Sequence, residues 1–210
     1  MNIELKGQNF EFHPSGAAYW IDQEMLLISD VHLGKISHFR KYGSAVPQEA
    51  IGQNFLQLEE AVKRFDPEMI CFLGDLFHSA MNSEWQLFER WVGELDCQVF
   101  LVSGNHDVIS PLKYEELGIE IYKEVRVGKF LLTHQPEDRD GSFNICGHIH
   151  PGYHLQGLGK QSLKLPCFYK TDHRLILPAF GEFTGNYIIK PEKGDEIYAL
   201  TKKEVILVYS

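Results

Sequence analysis

Met25-Leu26-Leu27-Ile28-Ser29-Asp30-Val31-His32 is an apolar run of strand length that ends abruptly in a carboxylate and an imidazole. An unbroken apolar run of this kind fits a strand buried on both faces, as in a parallel sheet. The pattern recurs. Met69 to Leu73 is followed by Gly74-Asp75, and Gln98 to Ser103 by Gly104-Asn105-His106-Asp107. Helical stretches separate these strands. Pro47 to Phe65 places Ile51, Phe55, Leu58, Ala61, Val62 and Phe65 at helical spacing, with Pro47 suited to the first turn. Ser83 to Leu95 does the same with Trp85, Leu87, Phe88, Trp91, Val92 and Leu95, and Ser83 is the predicted cap.

After Asp107 the pattern changes. Ile119–Tyr122, Val125–Val127, Phe130–Thr133, Phe143–Cys146, Arg174–Leu177, Tyr187–Ile189, Ile197–Leu200 and Val205–Val208 read as short strands. Gly128-Lys129 and Gly194-Asp195 are predicted to close hairpins. An α/β half followed by a β-rich half predicts two sheets face to face with helices outside. No internal repeat or linker-like stretch interrupts residues 1–210, which are expected to form one domain.

The chain has 210 residues and a net charge of −9. The first dozen residues lack an apolar core, and no run approaches the roughly 18 to 20 apolar residues of a membrane span. A cytoplasmic protein with no membrane association is expected. Cys71, Cys97, Cys146 and Cys167 are widely spaced and read as reduced thiols. The negative charge argues against a protein that tracks a long nucleic-acid backbone, which needs a basic face. It leaves room for a nuclease, because two bound divalent cations would place four positive charges where a phosphate must lie. Basic residues cluster at Lys35, His38, Arg40 and Lys41, and again at Lys160, Lys164, Lys170 and Arg174. Trp20, Tyr153 and Phe168 are candidates for an exposed interface.

Two further motifs follow in the β-rich half: Thr133-His134 and Gly147-His148-Ile149-His150. The five motifs together carry the carboxylates Asp30 and Asp75, the Asn105 amide and the imidazoles of His32, His106, His134, His148 and His150. This donor set suits borderline divalent ions such as manganese, iron or zinc. It is enough for two such ions side by side, with one imidazole left over. In open α/β sheets the loops at the carboxyl ends of strands converge on one crevice. Asp30 and His32 are two residues apart, as are His148 and His150, so continued extended backbone would send each pair to one face. Gly74, Gly104 and Gly147 would let the backbone turn tightly beside the ions.

In this order the motifs resemble the calcineurin-like metallophosphoesterase superfamily, whose motifs run D-x-H, G-D, G-N-H-[DE], a His after a strand, and G-H-x-H. The resemblance implies an α/β fold, a four-layer sandwich of two mixed β-sheets flanked by helices. It implies one metal on Asp30, His32 and His150, another on Asn105, His134 and His148, and Asp75 bridging them. Manganese is the expected metal, with iron or zinc as alternatives. His106 would stand near the scissile phosphate, steered by Asp107 or another carboxylate, while water activated by the metals attacks phosphorus in line. One departure is visible. Many relatives continue the second motif with Asp-Arg, whereas this chain has Leu76-Phe77-His78-Ser79, so His78 is a candidate for substrate contact or for holding its loop.

Further stretches are similar to one bacterial subgroup, the ligase- or helicase-associated DNA-damage-response endonucleases (the PdeM subgroup). They are Asp30 to Lys35, Phe39-Arg40-Lys41-Tyr42-Gly43, Pro166-Cys167-Phe168, and Arg174 to Gly185. That similarity implies a manganese-dependent endonuclease linked to DNA repair, with single-stranded DNA or structured DNA ends as substrate and a helicase or DNA ligase as partner. Arg40 is a candidate phosphate fork, and a plain surface arginine is the equal alternative. Arg174 is expected to pair with a buried partner. A phosphodiesterase for small substrates such as cyclic nucleotides is the alternative enzyme. A non-catalytic metal-binding scaffold for protein interaction is the alternative of a different class, although such relatives typically lose ligands that this chain keeps.

Overall fold

The strands predicted at Met25, Met69 and Gln98 pair side by side in parallel, and residues along them alternate between two separate cores. The computed structural model describes residues 1–35, 37, 49–156, 162–181 and 184–210. Strands β1 (Asn2–Leu5), β2 (Gln8–Phe12), β3 (Ala18–Trp20), β4 (Met25–Ile28), β5 (Met69–Phe72), β6 (Gln98–Val102) and β7 (Glu120–Tyr122) form the first sheet in that order. Pairing is antiparallel from β1 to β4 and parallel from β4 to β7. The second sheet takes β8 (Val125–Val127), β9 (Phe130–Leu132), β10 (Phe143–Cys146), β11 (Pro151–Gln156), β12 (Ser162–Lys170), β13 (Arg174–Ile176) and β14 (Tyr187–Ile188). Its spatial order is β14-β11-β12-β13-β10-β9-β8, and β15 (Glu196–Leu200) with β16 (Val205–Tyr209) branches from β12.

Leu26, Ile28, Ile70 and Phe72 face the helices α1 (Glu49–Phe65), α2 (Ser83–Gly93) and α3 (Pro111–Glu115), meeting Phe55, Leu58, Phe88, Trp91 and Tyr114. Their neighbours Met25, Leu27, Cys71 and Leu73 face the second sheet, meeting Leu132, Ile145, Leu175 and Tyr198. Each central strand is therefore apolar throughout because it serves two cores at once. The expected pair of mixed sheets is present, with a one-sided helical flank. Among the described residues no helix covers the outer face of the second sheet, which carries a small cluster of Cys167, Ile189 and Ile197 instead.

Several elements differ from expectation. The meander β1–β3 and the pair β11–β12 are additional strands. β12 contains Pro166, which in sequence argues against a strand. Pro166 is tolerated because pairing with β15 begins only at Cys167, so its missing N–H faces no neighbour on that side. Helix α2 is capped by Asn82, whose side chain accepts the Glu84 N–H at 2.8 Å, and not by Ser83. Gly128-Lys129 closes the β8–β9 hairpin as expected. Gly194-Asp195 is a turn but joins no hairpin, since β14 pairs with β11 and β15 with β12. Trp20 and Phe168 are no interface residues. Trp20 is stacked on Phe10 and Phe168 on Phe12, both inside the inter-sheet core. Arg174 pairs with Asp138, whose side chain is exposed, so the expected buried partner is not found. No cysteine is paired with another, and Cys71, Cys146 and Cys167 are buried. Among the described residues no helix is long and apolar enough to cross a membrane.

Candidate metal centre

The loops that leave β4 and β5 run alongside each other and are laced by backbone hydrogen bonds. Asp30 N–H donates to Gly74 O at 3.2 Å, His32 N–H to Asp75 O at 3.0 Å and Leu33 N–H to Leu76 O at 2.8 Å. The backbone here is not the extended continuation that residue spacing suggested. Asp30, His32, Asp75, His148 and His150 all have positive φ, between +50° and +68°. Non-glycine residues seldom adopt that conformation, and a cluster of them is the usual mark of a functional site held by its surroundings. With these left-handed turns Asp30 and His32 reach one cluster of ligand atoms, while His148 and His150 divide between two neighbouring clusters.

Two glycines make the turns possible. Gly74 has φ +82°, and a Cβ there would lie 2.3 Å from His134 Nδ1. A Cβ at Gly147 would lie 2.4 Å from Asp30 Oδ2. That oxygen instead accepts the His148 N–H at 2.9 Å, which ties the first sheet to the second across the site. Phe180 and Gly181 reinforce the tie by donating to Ser29 O and Asp30 O at 3.0 and 3.2 Å.

Two clusters result. Asp30, His32 and His150 offer ligand atoms within 4.8 Å of one another, and so do Asp75, His134 and His148. Within the first, His150 Nε2 lies 3.0 Å from Asp30 Oδ1 and 3.3 Å from His32 Nε2. Within the second, His134 Nε2 lies 3.1 Å from His148 Nδ1 and 3.4 Å from Asp75 Oδ1. The other Asp75 oxygen is 4.0 Å from His32 Nε2, so this carboxylate spans the two clusters. His134 Nδ1 is 2.9 Å from Leu73 O. A proton donated there fixes the tautomer and leaves the Nε2 lone pair facing the cluster.

Electrostatics favour cations at this place. Burial raises the Asp30 pKa, but the adjacent His150 imidazole and the attraction of His150 and His134 outweigh it, so the carboxyl stays below its ordinary value. Burial pushes His32 down to about 3 against the opposing pull of Asp30, and burial followed by His134 lowers His148. Neutral imidazoles beside buried carboxylates are the protonation states that bind divalent metal. Asp30 Oδ1 is buried without a well-formed hydrogen bond, a cost that coordination would remove. The donor set therefore fits two divalent ions.

The family profile for calcineurin-like phosphoesterases matches residues 25–201, most of the chain. The chain is a calcineurin-like phosphoesterase. Its structure superposes on the nuclease MPE of Pseudomonas putida with a TM-score of 0.83 and 28% identity, covering 99% of each chain. It is also 29% identical over 91 residues, 42% of its length, to a probable glycerophosphodiester phosphodiesterase of Arcobacter nitrofigilis, and that match spans 31% of the relative. Membership makes this protein a metal-dependent phosphoesterase. Two divalent ions held by Asp30, His32 and His150 and by Asp75, His134 and His148 would supply Lewis acidity to phosphoryl oxygens and lower the pKa of bound water.

The remaining residues of the phosphoesterase site divide by what they touch. The His106 ring is exposed and lies 5.8 Å, centroid to centroid, from His32, at the mouth of the first cluster. Asp107 does not steer it. Its carboxylate accepts four backbone N–H groups, from Gly104 at 2.7 Å, Asp75 and Leu76 at 2.9 Å and Phe77 at 3.2 Å. Asp107 thus ties the loop after β6 to the loop that carries Asp75. His106 N–H in turn donates to Asp75 Oδ1 at 2.8 Å.

His78 is brought into the site. Its ring lies 4.7 Å from that of His106 and 5.3 Å from that of His32. Asn105 is exposed, and its Oδ1 accepts Gln135 Nε2 at 2.8 Å. An amide oxygen has a second lone pair, so this bond orients Asn105 without exhausting it. Arg40 lies outside the described residues.

Sequence reasoning missed two supporting side chains. Gln135 follows His134 in sequence but carries no signal of its own. Glu84 is fully buried in the first turn of α2, and it accepts Gly34 N–H at 2.7 Å, Ser37 N–H at 3.1 Å and Ser37 O–H at 2.6 Å. It therefore fastens the segment that follows His32. A glutamate at a helix start reads as ordinary capping chemistry, so nothing in the chain marks this job.

Proposed function

We propose that this phosphoesterase is a manganese-dependent phosphodiesterase that cleaves single-stranded DNA internally, in the cytoplasm and in the service of DNA repair. The observation that carries the reading is the likeness to the Pseudomonas putida nuclease over the whole of both chains. The mouth of the site supports it. His106 and His78 place two imidazoles beside the first cluster, where a diester has an oxygen to bind and an alkoxide to protonate. His106 is assigned the proton donor, and His78 a contact to the phosphoryl group or the leaving nucleotide. With a net charge of −9 the chain has little electrostatic affinity for a polyanion beyond its metals. A helicase or DNA ligase partner would supply the rest.

The test is manganese-loaded protein on circular single-stranded DNA, with His106→Ala carried through the same preparation. Wild type is expected to nick the circle. His106→Ala should keep its metal and lose at least about a hundredfold in rate. Equal nicking by both at equal loading would refute the role of His106. A second reading, a phosphodiesterase for small diesters, is favoured by the 91-residue match to the glycerophosphodiester phosphodiesterase. Intact circles together with hydrolysis of glycerophosphodiesters would select it.

A further inference from the structure

A groove of about 690 Å³ runs along the seam between α1 and the second sheet, and one end of its lining adjoins the backbone that carries the first metal cluster. At that end, Gly181 donates its N–H to Asp30 O, and Asn186 precedes Tyr187, whose N–H donates to His150 O at 2.9 Å. Asp30 is therefore one backbone hydrogen bond from a residue of the groove wall, and His150 one from the neighbour of another. The other wall is α1, from Gln53 through Gln57 to Glu60. Those eight residues, seven helical steps, span about 10 Å, the length of about three stacked nucleotides at 3.4 Å each.

The chemistry of the lining excludes a phosphate track. Its charged groups are Glu60 and Lys202, which cancel, and the His13 imidazole is driven toward its neutral form by burial and then by Arg64. A sugar-phosphate backbone needs a surplus of cations. What the groove offers instead is amides. Gln53 is exposed on α1 and Asn186 is exposed at the metal end. Gln57 commits its Nε2 to Ser15 O at 2.9 Å and Phe180 O at 3.3 Å, which leaves its oxygen as an acceptor. An amide presents donor and acceptor side by side, the pattern that pairs with a base edge. The volume falls within the range of sites that enclose a small organic ligand.

We propose that this groove holds the bases and sugars of about three nucleotides on one side of the scissile phosphate. The proposal rests on the nuclease reading and adds a direction to it. The strand crosses the metal centre with its phosphate on the ions and continues along α1 with its bases against Gln53, Gln57 and Asn186.

The test compares kcat/KM for single-stranded DNA hexamers with that for bis(p-nitrophenyl) phosphate, which is too short to enter the groove. Gln53→Trp, which fills the groove from an exposed position, should lower the ratio about tenfold, the worth of one base contact, through KM. Asn186→Ala should lower it in the same sense. Equal effects on both substrates, or none, would overturn the proposal. In parallel, hexamers carrying 4-thiothymidine are photo-crosslinked to manganese-loaded His106→Ala protein. Adducts on the α1 peptide containing Gln53 and Gln57 support the groove. Adducts confined to other peptides overturn it while leaving the nuclease reading intact. Neither adducts nor hexamer cleavage, with the small diester still hydrolysed, would overturn the DNA reading and the groove's occupant together.

Discussion

Replacing Asp107 separates a structural carboxylate from a catalytic one. Its two oxygens serve four backbone N–H groups in the loops that hold Asp75 and begin at Gly104. Asp107→Ala strands all four. Hydrogen bonds to a charged acceptor contribute about 1.5 to 3 kcal/mol each, but the buried carboxylate also loses its hydration, and water can reach part of this loop. A net loss of about 3 to 4 kcal/mol follows, near the upper limit for a single substitution.

Asp107→Asn is the sharper variant. It keeps the shape, yet it turns an NH2 group toward two N–H donors, and about 2 kcal/mol should be lost. For a chain of this size each kcal/mol lowers Tm by about 2 to 4 °C, so the two variants should melt about 6 to 16 °C and 4 to 8 °C lower. The assay is thermal unfolding in chelator, which removes stabilisation by bound metal. Isothermal titration with Mn²⁺ then follows, and weaker binding is expected because Asp75 is less firmly held. If Asp107→Asn melted like wild type and bound Mn²⁺ normally but had lost turnover, Asp107 would act on the chemistry and this reasoning would be wrong.

Other consequences are open to measurement. Gly147→Ala should lose most of its bound metal and about 2 kcal/mol or more, since the new Cβ would lie 2.4 Å from Asp30 Oδ2 and 2.6 Å from Ser29 Cβ; normal metal content by elemental analysis would contradict this. Glu84→Gln should cost about 2 kcal/mol in urea unfolding, because its NH2 must face either the Gly34 donor or the Ser37 donors, which the two carboxylate oxygens both satisfy. A wild-type midpoint would show that the segment after His32 does not depend on it.

The third consequence concerns pH. Burial lowers His13, His148 and His32, the last to about 3, so the unfolded chain takes up protons that the folded chain refuses as pH falls through 6.5. Chelated protein should therefore lose stability between pH 7.5 and 5.5, by about 1.4 kcal/mol from His32 alone. Asp107 opposes the trend, since burial raises its carboxyl. A slope unchanged in His32→Gln would refute the His32 contribution.

Much of the first sheet was legible because its strands answer to a simple rule. Met25–Ile28, Met69–Phe72 and Gln98–Val102 are apolar at nearly every position, which happens when both faces are buried. The N-terminal meander and β12 were not legible. The meander alternates polar and apolar residues in pieces of three to five, and the Pro166 signal within β12 is overruled by which side of the strand has a neighbour. Asn82 caps α2 in place of the expected Ser83, because its side-chain oxygen reaches the Glu84 N–H.

For the site, the chain alone determined the chemistry: two carboxylates, an amide and a set of imidazoles in five ordered motifs, enough for a dinuclear centre and one spare imidazole. Ligand identity is legible because metal coordination tolerates few side chains, and the glycines beside them follow from close packing around Asp30 and His134. Residue spacing left open how the ligands divide, and beyond the family resemblance it is tertiary structure that brings them together, because Asp30 and His150 are 120 residues apart and meet only when the second sheet closes on the first. It also decided what Asp107, Gln135 and Glu84 do. Each acts by satisfying backbone or side-chain groups brought from elsewhere in the chain, and a hydrogen-bond partner that is distant in sequence leaves no pattern in the residues around it.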